Sequence, residues 1–231
     1  MSIAENLKTV QDRIAFAAKH AGREPSSVTL VVVTKTVDHA RIREAVAAGA
    51  AVLGENRVQE AKDKIEALGA LASWHLIGRL QTNKAKYAVR LFDLIHSVDT
   101  IGLARELDRQ AAKNNKVQDI LVEVNIAGEK QKAGVAVKDA PVLVREAAIL
   151  RNLRIRGLMT MPPYSEDPEA SRPYYRKLRE LAASIGRDEI PGVSMGALSM
   201  GMSGDYEVAI SEGATMVRVG TAVFGERTAR A

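Results

Sequence analysis

The chain has 231 residues, of which 46% are hydrophobic and 26% charged, enough for one large globular domain spanning residues 1–231 with a substantial core. Cysteine is absent, which excludes a disulfide framework, a thiolate nucleophile and a cysteine-ligated metal, and sets the cytoplasm as the expected location. The formal charge of +5 fits an anionic ligand, but lysines and arginines are interspersed with acids instead of clustered on an aromatic-studded face, which argues against nucleic acid as a partner.

Residues 3–21 read as an amphipathic helix stopped by Gly22, acid-containing and without the apolar core of a signal peptide. Short apolar runs then alternate with amphipathic segments to the C-terminus. The predicted strands are 28–34, 52–55, 74–78, 93–97, 119–125, 155–159, 193–199 and 216–219. The predicted helices between them include 40–48 closed by Gly49, 58–68 closed by Gly69, 101–113, 140–150, and 171–185 with Gly186 as a stop. Strands that are apolar throughout and separated by helices indicate a parallel sheet with covered faces. Eight such units in this length match a closed (β/α)₈ TIM barrel of the α/β class with an extra N-terminal helix. An open doubly wound sheet would normally carry a glycine-rich turn after its first strand, and Val33-Thr34-Lys35-Thr36-Val37 has no glycine. No run is long enough to span a bilayer, so no membrane partner is expected. No histidine–carboxylate spacing resembles a metal site.

A barrel gathers its chemistry where the strands end. The first predicted strand releases Lys35 there, and an amine leaving a buried strand is desolvated, which favours the neutral, nucleophilic form. The last strand ends in Gly220-Thr221, a small turn whose N–H groups suit a phosphate. An amine beside a phosphate cradle points to a phosphorylated aldehyde, and hence to pyridoxal phosphate. Ser199 and Ser203 are the matching hydroxyls from the seventh strand. The segment 128–134 reads as a mobile loop over the mouth, and 162–168 as a second irregular loop with no chemistry assigned to it.

The strand-end signatures in this order resemble the YggS/PROSC family of pyridoxal-phosphate homeostasis proteins, which share the barrel of alanine racemase. The motifs are Val-Thr-Lys at 33–35, Gly-Glu-Asn-Arg-Val-Gln-Glu at 54–60, Trp-His-Leu-Ile-Gly-Arg-Leu-Gln-Thr-Asn-Lys at 74–84 and His-Ser-Val-Asp at 96–99. They continue as Val-Glu-Val-Asn at 122–125, Arg-Gly-Leu-Met-Thr-Met at 156–161, Leu-Ser-Met-Gly-Met-Ser at 198–203 and Val-Arg-Val-Gly-Thr-Ala-Val-Phe-Gly at 217–225. The resemblance implies that Lys35 holds pyridoxal phosphate as a Schiff base and that Gly220, Thr221, Ser199 and Ser203 receive its phosphate. It implies that Arg218 faces the pyridine nitrogen and leaves it unprotonated, a weak electron sink, because an arginine does not surrender its proton. It places Asn56 and His75 in the pocket lining. Plainer readings stand beside these: a solvated Lys35, Thr221 and Ser203 as helix caps, Asn56 as a cap, His75 as a core histidine, and Arg218 in an ion pair with Glu55 or Glu123.

Two functions follow from the resemblance. One is a carrier that binds, buffers and delivers the cofactor to pyridoxal-phosphate-dependent apoenzymes, without enzymatic turnover; the alternative is a small amino-acid racemase. Racemases resembling this barrel add a C-terminal β-domain that supplies the second proton carrier in a dimer, and inversion needs carriers on both faces. The chain ends at Ala231 without such a domain, and none of Tyr87, Tyr164, Tyr174, Tyr175 and Tyr206 lies in a recognisable catalytic motif. The expectation is therefore a monomeric binding protein.

Overall fold

The computed structural model describes residues 1–69, 71–129 and 131–225, so Lys130 of the predicted 128–134 loop and the terminal Ala231 lie outside the described residues. Helix α1 (Ile3–His20) opens on a capping box in which the Ser2 hydroxyl accepts from the Glu5 N–H and the Glu5 carboxylate accepts from the Ser2 N–H. Ile3, Leu7, Val10, Ile14 and Ala18 form its buried stripe at helical spacing. Across that interface, Asn6 donates to the Val223 carbonyl and Arg13 pairs with Glu207.

The remaining elements are β1 (Thr29–Val33), α2 (His39–Ala47), β2 (Val52–Glu55), α3 (Val58–Leu68), β3 (Ser73–Leu76), α4 (Ala85–Leu91), β4 (Leu94–Val98), α5 (Ile101–Lys113) and β5 (Gln118–Asn125). There follow β6 (Val135–Ala136), α6 (Ala140–Ala148), β7 (Leu153–Met159), α7 (Arg172–Gly186), β8 (Val193–Met202), α8 (Tyr206–Ser211), β9 (Met216–Val219) and α9 (Thr221–Phe224). Every pairing is parallel. The order β4-β3-β2-β1-β9-β8-β7-β5 closes on itself through β4–β5, giving an eight-stranded barrel with the two-residue β6 attached outside β5.

All eight predicted strands are present, and the helices at 58–68 and 101–113 have the predicted limits. Strand β8 runs three residues past its predicted end at Ser199. Its register with β9 shifts between Ser199 and Met202, where Gly201 takes a φ of +94°, so an irregularity that only glycine tolerates lets the pairing continue. Gly186 is the last residue of α7 instead of its stop, and Ser171 closes a preceding 3₁₀ turn (Pro168–Ser171) instead of opening the helix. Helix α4, the short helices α8 and α9, and β6 are elements for which the hydropathy pattern is too short to register.

Side chains alternate along each strand. One set packs outward against the helices in the main core, and the inward set makes two small apolar clusters, Val31–Val33–Ile77 and Leu94–Leu121–Met159. Five buried polar residues share that interior: His75, His96, Glu123, Ser199 and Arg218. No helix among the described residues is long and apolar enough to cross a membrane.

Candidate functional site at the C-terminal rim

Lys35 follows the end of β1, and the backbone on both sides of it is clamped from below. The buried Lys64 amine of α3 donates to the Thr34 carbonyl, Glu55 and Glu60, each at 2.6 Å. The Thr34 hydroxyl donates to the same Glu55 oxygen at 2.6 Å, and Glu60 accepts from the Thr36 N–H at 2.5 Å. Thr36 has a φ of +63°, unusual for a β-branched residue, so these bonds hold a turn that threonine alone disfavours. Burial pushes the Glu55 carboxyl up in pKa, with Lys64 and Thr34 opposing. Glu60 and Lys64 are one helical turn apart and face the same way, so α3 delivers both to this clamp.

Strand β9 lies beside β1, with Val32 opposite Val219, so the Gly220 turn emerges next to Lys35. A pocket of about 450 Å³ opens there at the C-terminal rim, and Lys35, Asn56, Ser203, Arg218, Gly220 and Thr221 all line it. These six residues come from the ends of β1, β2, β8 and β9. Gly78, after β3, completes the wall against Asn56, where a Cβ would come 2.4 Å from the Asn56 carbonyl oxygen. Lys35 is half-buried, with its chain on the pocket wall.

On the anion side, Ser203 does not cap the following helix. Asp205 holds the N-cap position of α8, and its carboxylate accepts from the Met202 N–H at 2.7 Å, the Ser171 hydroxyl at 2.9 Å and the Tyr175 hydroxyl at 2.6 Å. Burial, then the adjacent Asp205, pushes the Tyr175 phenol up in pKa, so that hydroxyl is held as a donor. The Ser203 oxygen instead accepts from the Gly220 N–H at 3.4 Å, joining the two strand ends. Thr221 is the first residue of α9 and makes no side-chain cap, so its hydroxyl is not spent on the helix. Asn56 is likewise not a cap: Arg57 holds the N-cap position of α3.

Arg218 is 4% exposed, with one guanidinium nitrogen donating to the Ser199 oxygen at 2.5 Å and another to the Thr160 carbonyl at 2.9 Å. It makes neither ion pair weighed for it, because Glu55 is taken by Lys64 and Glu123 feels the Arg218 charge without an ion pair. Burial, and then repulsion from Asp99, raises the Glu123 carboxyl to a pKa of about 7, against the pull of Arg218 and Arg79. Ser199 and His75, also predicted for the site, are absent from the pocket wall. Ser199 lies beneath Arg218, and His75 is an interior residue midway along β3, bonded to His96 and bordering a cavity at the opposite mouth.

Sequence reasoning gave no role to Lys64, Glu60 and Asp205, placed His96 and Thr160 only in strand-end motifs, and weighed Glu123 only as an ion-pair partner of Arg218. Lys64 had a readable signal: it falls on the buried stripe Val58–Ala61–Lys64–Leu68 with acids four and nine residues before it. His96 had another, lying two residues from the inward-facing Leu94. Asp205 had none, since its three partners come from distant turns. Among the described residues no three His, Asp or Glu side chains group as metal ligands.

An amine, hydroxyls, a backbone N–H turn and a fixed guanidinium converge on one pocket, a donor set that fits a phosphorylated aldehyde bearing a heteroaromatic ring. Residues 6–228 match the alanine racemase N-terminal domain family. The pyridoxal phosphate homeostasis protein of Aquifex aeolicus is 50% identical over 98% of this chain and 99% of its own length, and that of Pseudomonas aeruginosa is 42% identical over 98% and 96%. Among solved structures, PipY of Synechococcus elongatus with PLP bound superposes with a TM-score of 0.85 at 38% identity, covering 97% of this chain and all of PipY. D-threonine aldolase from Filomicrobium marinum shares the fold, with a TM-score of 0.75 at 20% identity and 60% of its chain covered.

Proposed function

The chain belongs to the alanine racemase N-terminal domain family, and within it to the pyridoxal phosphate homeostasis proteins, and on that premise we propose that it binds pyridoxal phosphate at the C-terminal rim and holds it for delivery. The convergence of Lys35, Ser203, Arg218, Gly220 and Thr221 on one pocket carries this reading. Lys35 condenses with the aldehyde to a Schiff base, its nitrogen replacing the carbonyl oxygen, which leaves as water. Gly220, Thr221 and Ser203 take the phosphate, and Arg218 faces the ring nitrogen. When bound, the cofactor supplies an electron sink for amino-acid chemistry, and an unprotonated ring nitrogen limits that sink.

We propose holding and release, without substantial turnover. Among the described residues Tyr164 is the one tyrosine on the pocket wall, and it is 88% exposed on an irregular loop, a poor placement for a proton carrier that needs fixed geometry. Pyridoxal-phosphate-dependent apoenzymes are the proposed recipients, in the cytoplasm, with the protein acting as a monomer.

Protein incubated with pyridoxal phosphate should turn yellow, and borohydride should fix one pyridoxyl group at Lys35 by peptide mass. Lys35→Ala should lose both signals; a variant that keeps the same chromophore refutes the assignment. Thr221→Ala should weaken cofactor binding by about 1.5–3 kcal/mol, the range for a hydrogen bond to a charged group. Rapid racemisation of any amino acid would refute the carrier reading while leaving the cofactor site intact.

A further inference from the structure

We infer that Ser199, His96 and His75 are positioning residues, a one-way chain of hydrogen bonds that crosses the barrel interior and fixes the Arg218 guanidinium at the rim pocket. The links are Arg218 to Ser199 at 2.5 Å, Ser199 to His96 Nδ1 at 2.9 Å, and His96 Nε2 to His75 Nδ1 at 3.0 Å. The four residues come from β9, β8, β4 and β3, so the chain runs from one wall of the barrel to the far one. Its ends lie at different mouths. Arg218 lines the rim pocket, whereas His75 borders a cavity of about 410 Å³ at the N-terminal mouth with Asp93 and Asp119.

The direction of the chain follows from the arginine. A guanidinium only donates, so Ser199 Oγ accepts from it. Ser199 is 0% exposed and its oxygen has no other partner among the described residues, so the hydroxyl hydrogen has one acceptor, His96 Nδ1. His96 therefore carries its hydrogen on Nε2 and donates to His75 Nδ1, which places the His75 hydrogen on Nε2. The reverse order leaves a buried hydroxyl hydrogen without an acceptor, a costly state. Burial keeps both rings neutral, His96 far below its ordinary pKa and His75 near 4, which this order requires. The chain transmits orientation and moves no proton, because the arginine end does not deprotonate. Without it, one arm of a buried cation would lose its acceptor.

Nitrogen-15 spectra of the imidazole rings in the ligand-free protein near neutral pH should show His96 and His75 both neutral with hydrogen on Nε2. In Ser199→Ala, His96 should gain a population with hydrogen on Nδ1. Hydrogen on Nδ1 of either ring in the unaltered protein, a cationic ring, or a His96 spectrum indifferent to Ser199→Ala overturns the inference. A second arm rests on the proposed cofactor site and uses pyridoxal phosphate itself. His75→Leu, a change outside the pocket wall, should weaken binding about fivefold, the loss of one neutral hydrogen bond, and shift the absorption of the bound chromophore. His75→Asn, whose side-chain oxygen replaces Nδ1 as acceptor, should restore both. Unchanged binding in His75→Leu, or equal loss in both variants, overturns the positioning role. A protein that binds no pyridoxal phosphate refutes the proposed function instead, and the ring spectra then decide the inference by themselves.

Discussion

Glu123 at the end of β5 shows how one buried group can work against the fold that holds it. Its folded pKa of about 7 lies above the ordinary 4.5, so folding favours the protonated carboxyl. The stability that this confers is complete below pH 4.5 and is lost as pH rises through 7, on the order of 3 kcal/mol. Glu123→Gln keeps the shape and removes the titration. It should match the parent protein in acid and exceed it in thermal midpoint above neutral pH, and an equal pH dependence in the two proteins would contradict the assignment. Lys64 is the opposite case, a buried cation fully used by its neighbours. Its partners are Glu55, Glu60 and the Thr34 carbonyl, so it stabilises the turn that presents Lys35 as well as the interior.

The β1–α2 turn and helix α3 act as one unit because of that clamp. Lys64→Met would leave Glu55, 0% exposed, without its counter-charge, and should cost about 3–5 kcal/mol in denaturant unfolding. Adding Glu55→Gln to that variant should recover part of the loss, since a neutral amide is cheaper to bury than an unpaired carboxylate. A clamp that merely decorates the surface would give less than 1 kcal/mol and no recovery. The wall formed by β2 and β3 is similarly intolerant. With a Cβ placed 2.4 Å from the Asn56 carbonyl oxygen, Gly78→Ala forces two strand ends apart and should disturb Asn56 before any other pocket residue.

The barrel as a body is asymmetric in its charge. Its interior holds two neutral histidines and an arginine with no carboxylate in ion-pair contact, and its stability is therefore sensitive to acid. The folded pKa of His75 is about 4 against an ordinary 6.5, so folding favours the neutral ring. That stability is complete above pH 6.5 and is lost as pH falls through 4, on the order of 3 kcal/mol, and His96 shifts in the same direction. Glu123 gains stability over the same interval, so the test belongs in Glu123→Gln: its unfolding midpoint should fall between pH 6.5 and 4, and adding His75→Asn should flatten the decline, whereas a midpoint already flat in Glu123→Gln would contradict the neutral rings.

The alternation of apolar runs with amphipathic stretches determined eight strands, their helices and the closed ring, because burial of each strand on both faces leaves a period that local sequence records. The strand-end motifs likewise located Lys35, Gly220, Thr221, Ser203, Asn56 and Arg218, since a barrel brings every strand end to one rim whatever the details of packing. What only the tertiary structure decided is which polar groups meet. Lys64 beneath Lys35, Asp205 beneath Ser203, and the path from Arg218 to His75 join residues that are distant in the chain or lie on strands across the ring. The sequence puts Ser199 at the phosphate and leaves His75 open between pocket lining and core; both lie in the interior, because alternation tells which side of a strand a residue takes but not how deep in the barrel it sits. Depth is set by strand tilt and register, which pairing in three dimensions fixes and no single strand encodes.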